Sequence, residues 1–180
     1  MITDNMLDVA VAYNRFKFLG DEFLTWLWFT IEQDPSIFKS MDPDLTSFEI
    51  GNRIVLEKRK KESVERITIK GEYANFEEGM LALKKGALVA ELNLVYRSSE
   101  QKWQFTLKGE SLNLSGFKTP KIAPPQNQDD LEGVVLEKIH LYDKILQFLE
   151  KLYKHFTKLR TSNNWQTRVV PLIKKWMYES

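Results

Sequence analysis

A chain of 180 residues is the size of one domain and can bury roughly two-thirds of its unfolded surface; 43% hydrophobic and 28% charged residues, with five Trp and eleven Phe, are enough for a packed core without staples. The absence of cysteine excludes a disulfide framework, a Cys-ligated zinc site, an iron–sulfur cluster and a thiol nucleophile, and it fits a reducing compartment. The net charge of +1 names no partner, but residues 1–50 hold nine acids and three bases whereas residues 151–180 hold seven bases and one acid.

The pattern predicts an α+β domain over residues 1–180. Residues 1–34 read as helix, because Val9, Tyr13, Phe16, Gly20, Phe23, Leu24, Leu27 and Ile31 recur at spacings of three and four. Asp21 either caps a second helix there, or Gly20 permits close packing within one long helix. Asp34-Pro35 ends the segment, since the residue before proline is pushed out of the α region. Residues 36–47 read as a loop.

A β-rich block is predicted over residues 46–114. Phe48, Ile50, Ile54 and Leu56 share one parity, and the charged tip Arg59-Lys60-Lys61-Glu62 turns this strand into a second one over residues 64–70. A short helix follows over residues 76–85, with Asn75 and Glu78 as a capping box and Gly86 as the stop. Leu88, Ala90, Leu92, Leu94 and Tyr96 then alternate with mostly polar residues, and Ser98-Ser99-Glu100-Gln101 turns into Trp103, Phe105 and Leu107. The two hairpins share residues at a constant offset of 38: Leu56, Arg59, Glu62, Thr68, Lys70, Gly71 and Glu72 recur as Leu94, Arg97, Glu100, Thr106, Lys108, Gly109 and Glu110. A duplicated ββ unit would give a pseudo-symmetric antiparallel four-stranded sheet with one helix between its halves.

Residues 115–130, with Gly116, Pro120, Pro124 and Pro125, read as a linker. Residues 131–180 read as C-terminal helices. In the first of them, to about Leu159, Val135, Tyr142, Ile145, Leu149, Leu152, Phe156 and Leu159 form an apolar stripe, widened by Ile139 and Leu146. Asn163 or Asn164 opens a last helix carrying Trp165, Val169, Leu172, Ile173 and Trp176, which Pro171 must kink or restart.

No catalytic or cofactor motif is present: there is no HExxH, Walker loop, GxSxG or GxGxxG. His140 and His155 stand about 22 Å apart along one helix and cannot share a metal within the chain. The acids Asp129, Asp130 and Glu132, like Glu77-Glu78 and Asp21-Glu22, are accounted for by helix N-termini. No catalytic site is recognisable, a hydrolytic enzyme would have only scattered acids behind it, and no metal or cofactor is expected. No membrane partner is expected, since the longest apolar run, residues 23–31, falls well short of the roughly 20 residues needed to span a bilayer. The acidic start of the chain does not read as a signal peptide.

Two features are candidates for binding. Trp26, Trp28 and Phe29 belong to an aromatic string that covers a helix all round; it is either a helix buried on most sides or an interface with a partner. Lys151, Lys154, Lys158, Arg160, Arg168, Lys174 and Lys175 either pair with the acidic opening segment and solvent or form a surface that contacts phosphates.

Three stretches carry a family resemblance: FLGDEFLTWLW at residues 18–28, LNLSGFKTPK at 112–121 and LEGVVLEKI at 131–139. They resemble bacterial sequences of the recombination-associated protein RdgC family, in a divergent branch. The resemblance implies a cytoplasmic, non-enzymatic protein that binds DNA without sequence preference, as a dimer. The alternative is a protein-interaction or oligomerisation module with no nucleic-acid role, suggested by the Trp-rich helix, the striped long helix and the opposed charged ends.

Overall fold

The computed structural model describes residues 18–60, 63–71, 76–127 and 130–179. Val9, Tyr13 and Phe16 of the opening helix, the tip residues Lys61 and Glu62, Glu72, the cap Asn75 and the acid Asp129 lie outside the described residues.

Helix α1, Phe18–Gln33, runs into the short helix α2, Ser36–Met41, through Asp34-Pro35. Residues 36–47 are thus not a loop throughout: Pro35 suits the start of a helix because its missing N–H has no intrahelical partner there, and Phe38 anchors the turn by packing edge-on against Phe48 at 5.1 Å. Strands β1, Leu45–Arg59, and β2, Val64–Lys70, form the first hairpin. Helix α3, Phe76–Lys84, leads to β3, Leu88–Ser98, and β4, Gln101–Lys108, which form the second. Gly86, with φ of +85°, ends α3 as expected. The Gly86 N–H bonds the Leu83 carbonyl and the Ala87 N–H the Ala82 carbonyl, so the last carbonyls of the helix are satisfied.

The sheet order is β2-β1-β3-β4-β5, all antiparallel. The fifth strand, β5, Leu114–Lys118, corrects the linker predicted over residues 115–130. Its prolines block a ladder only from Pro120 onward, and Gly116, at φ of +59°, supplies the kink where the register with β4 shifts. The two hairpins are superimposable in register. Ile54 pairs Ile69 and Leu56 pairs Ile67 in the first; 38 residues on, Leu92 pairs Leu107 and Leu94 pairs Phe105 in the second. Even the closing bonds correspond: Gly71 N–H to the Asn52 carbonyl, and Gly109 N–H to the Ala90 carbonyl. The inner strands β1 and β3 pair with each other, so the two hairpins are arranged pseudo-symmetrically about that seam.

Helix α1 lies against β3, where the Thr25 hydroxyl accepts a bond from the Val89 N–H at 3.1 Å and donates to the Asp21 carbonyl. Long helix α4, Asp130–Arg160, covers one flank of α1, with Phe23 and Trp26 packed on Phe156. Beyond Ser162 the chain makes a π-helical turn, Trp165–Val169, then helix α5, Val170–Glu179, on the other flank. The wide turn removes the clash that Pro171 would make with the preceding turn in a straight helix. Trp176 packs edge-on against Trp28 at 5.5 Å and against Phe29 at the same distance.

Trp26 and Trp28 are therefore buried core residues. They are withdrawn from the expected interface, because sheet, α4, α3 and α5 surround α1 and leave neither ring to a partner; Phe29 is partly buried against Trp176. The stripe predicted on α4 is also redrawn. Leu141, Ile145, Phe148, Leu152 and Phe156 face the core, Leu149 and Leu159 border it, and Val135 and Tyr142 are exposed.

Candidate nucleic-acid interface

The basic residues of the last thirty positions are divided by the bend at residues 161–164. At 100° per residue, Lys151, Lys154 and Lys158 fall within about 60° of arc on the outer side of α4 and span about 10 Å of its length. All three are exposed. Their tethers are light. The Lys151 ammonium donates to the Met41 carbonyl at 3.2 Å. Lys154 holds Glu150 at 2.6 Å, and that hydrogen bond keeps the Glu150 carboxyl below the usual carboxylate range. Both partners of this pair are exposed, so solvent and salt screen it.

Arg160 leaves the set. It lies about 150° round the helix from the lysine ridge. Its Nε donates to the Glu22 carboxylate at 2.6 Å, and its guanidinium lies 5.4 Å from the centre of the Trp165 ring. This is the acidic-end to basic-end pairing that the charge distribution left open, and it accounts for one of the seven cations. Arg168 is exposed on the π-helical turn; Lys174 and Lys175 are exposed on α5. Lys175 approaches Glu179 at 3.7 Å. Lys174 lines an apolar cleft of about 380 Å³ shared by α1, the end of α3, the π-helical turn and α5. Among the described residues, Lys158, Arg168 and Lys174 form no ion pair.

A second cationic surface lies on the sheet face turned away from the helices. Strand alternation places Arg53, Arg66, Lys70, Arg97, Lys102, Lys108 and Lys118 there, with Glu49, Glu57 and Glu91. Glu91 is clamped between Arg66, at 2.5 Å, and Arg53, at 3.2 Å. Arg97 and Lys102 stand directly opposite each other, and a like-charged cross-strand pair destabilises a sheet unless an anion lies over it. The sequence signal for this surface is the charge at alternate positions flanking Tyr96 and Trp103, which point into the core.

The remaining candidates for chemistry are dispersed. His155 is stacked on Trp26 at 6.0 Å. His140 lines a small cavity of about 170 Å³ with Asp42, Asp143 and Lys144. Among the described residues no group of three His, Asp or Glu is placed to hold a metal ion, and no helix is long and apolar enough to cross a membrane. Comparison with known proteins finds no family model, no curated protein and no solved structure that matches this chain.

Proposed function

We propose that this chain is a non-enzymatic nucleic-acid accessory protein of the recombination-associated type, which binds DNA through its cationic surfaces without reading bases. One observation carries the reading. Among the described residues, Arg160 alone of the seven C-terminal cations is tied to a carboxylate of the opening helix, and the exposed ridge of Lys151, Lys154 and Lys158 faces solvent, where phosphates could reach it. The outward-facing bases of the sheet add to the same field. Among the described residues, neither surface carries an exposed aromatic ring that could stack on bases, which favours backbone contact over sequence recognition.

Fluorescence anisotropy with labelled single-stranded and duplex DNA of unrelated sequences tests this. The expected result is micromolar or tighter binding at low salt, indifferent to sequence. The logarithm of affinity should fall with that of salt at a slope of roughly −3 to −5, as for a handful of phosphate contacts. No binding at about 10 μM protein and low salt would remove the proposal.

A further inference from the structure

The first three turns of α4 project past the core. From Asp130 to His140 every residue is exposed or half-buried, and the first fully buried position is Leu141. Yet this stretch is not polar. Leu131, Val135, Ile139, Tyr142 and Leu146 are each between 43% and 58% exposed. At 100° per residue they fall within about 80° of arc, roughly 100° round the helix from the stripe that faces the core. No charged residue between Leu131 and Leu146 lies inside that arc. The helix thus has two apolar faces, of which the described residues cover one.

We infer that a second copy of this chain covers the other, as an antiparallel pair of α4 helices related by a two-fold axis between Lys138 and Ile139. Three observations lead there. The first is spacing: Leu131, Val135, Tyr142 and Leu146 are placed symmetrically about that point. An antiparallel partner sets Leu131 opposite Leu146 and Val135 opposite Tyr142, with the two Ile139 side chains beside the axis. A two-fold interface must be self-complementary in this way. The second is size. An antiparallel pair matches the small Val135 with the large Tyr142 at both ends, whereas a parallel pair would set Tyr142 on Tyr142 and leave a gap at Val135. The third is area. Five large side chains at about half exposure present on the order of 500 Å², so two copies would bury roughly 1,000 Å², the lower bound for a specific interface. Tyr142 is already held in place by stacking on Phe117 at 4.5 Å, which reduces the entropy lost on docking.

The interface so defined is weak to moderate, and its dissociation constant should lie in the micromolar range. Sedimentation equilibrium of the full chain, from about 1 to 200 μM, should show a monomer–dimer equilibrium. The double variant Leu131→Glu/Leu146→Glu should stay monomeric with an unchanged circular dichroism spectrum, because both positions are outside the core. The cysteine-free chain allows a test of direction. When Leu131→Cys and Leu146→Cys proteins are mixed and oxidised, the mixed disulfide should form faster than either like-with-like disulfide. A chain monomeric at about 200 μM overturns the proposal; so does a dimer that survives the double Glu variant, or one that cross-links only like with like.

Discussion

Gly20 and Gly109 touch backbone to backbone: a methyl group on Gly20 would lie 1.7 Å from the Gly109 carbonyl oxygen. This contact seats the start of α1 on the end of the second hairpin. It sets Asp21, only 3% exposed, within 2.8 Å of the Arg59 guanidinium at the end of the first. Gly20→Ala cannot be absorbed by a side-chain shift, since the obstacle is main chain. It should destabilise the protein by about 3 kcal/mol or more, read as a lower urea midpoint. Gly133→Ala is the control. It too sits in a helix, but a methyl group there meets nothing within 4 Å, so the variant should gain about 0.5–1 kcal/mol from helix propensity.

Much of this architecture was legible because periodicity reports burial. Ile54, Leu56, Leu92, Leu94 and Tyr96 face the core as their parity required. The 38-residue offset anticipated a register that the two hairpins do share. Periodicity failed where it could not tell which apolar face finds a partner. Tyr142 and Ile145 are three residues apart in one stripe, but only Ile145 is buried, since the core reaches just part of that arc. It failed also at β5, where Gly116 and Pro120 read as breakers although Gly116 serves the kink inside a strand. Counting charge located the basic end but not its partition. That Arg160 turns to Glu22 while Lys158 does not depends on an angular difference of about 160° on one helix. The cations of the outer sheet face were hidden because they are spread over five strands and gather only on folding.

Asn93 is the knot of the outer sheet face. Its amide donates to the Phe105 carbonyl at 3.2 Å and to the Thr106 hydroxyl at 3.1 Å; its oxygen accepts from Gln104 at 2.9 Å and from the Asn52 N–H at 3.3 Å. Gly51 is glycine for this reason, since a methyl group there would lie 2.1 Å from the Asn93 oxygen. Asn93→Asp keeps the shape but replaces both donors with acceptor oxygen against the Phe105 carbonyl. It should cost about 3 kcal/mol, more than Asn93→Ser, because it buries a charge whose second oxygen faces the Phe105 carbonyl. Chemical denaturation of the two variants gives the comparison, and equal losses would count against the network.

Tyr96 links the sheet to the α2–β1 connection by donating its hydroxyl to the Asp42 carboxylate. Burial, then the hydrogen bond and charge of Asp42, raise the Tyr96 phenol above its ordinary range. The sign follows directly. An unfolded tyrosine releases its proton near pH 10 while folded Tyr96 retains it, so the contribution is complete below about pH 10 and is lost as pH rises beyond. Between about pH 10 and 11.5 the wild type should lose stability more steeply than Tyr96→Phe, by up to about 1.4 kcal/mol per pH unit, the value for one proton. Parallel curves for the two proteins in that window would show that Tyr96 ionises equally well folded and unfolded.

The lysine ridge and Arg160 should separate cleanly in experiment, because the same charge change is made in two different settings. Replacing Lys151, Lys154 and Lys158 together with Gln removes three solvent-facing cations and leaves the core untouched. DNA affinity at low salt should fall at least tenfold, and the salt slope should shrink by roughly 2 to 3, while the urea midpoint barely moves. Arg160→Gln removes one cation that is already engaged with Glu22 and stacked near Trp165. It should lower the urea midpoint yet change DNA affinity less than about threefold. If the two variants instead lost affinity in proportion to the charge removed, net charge alone would govern binding and the ridge would have no special place in it.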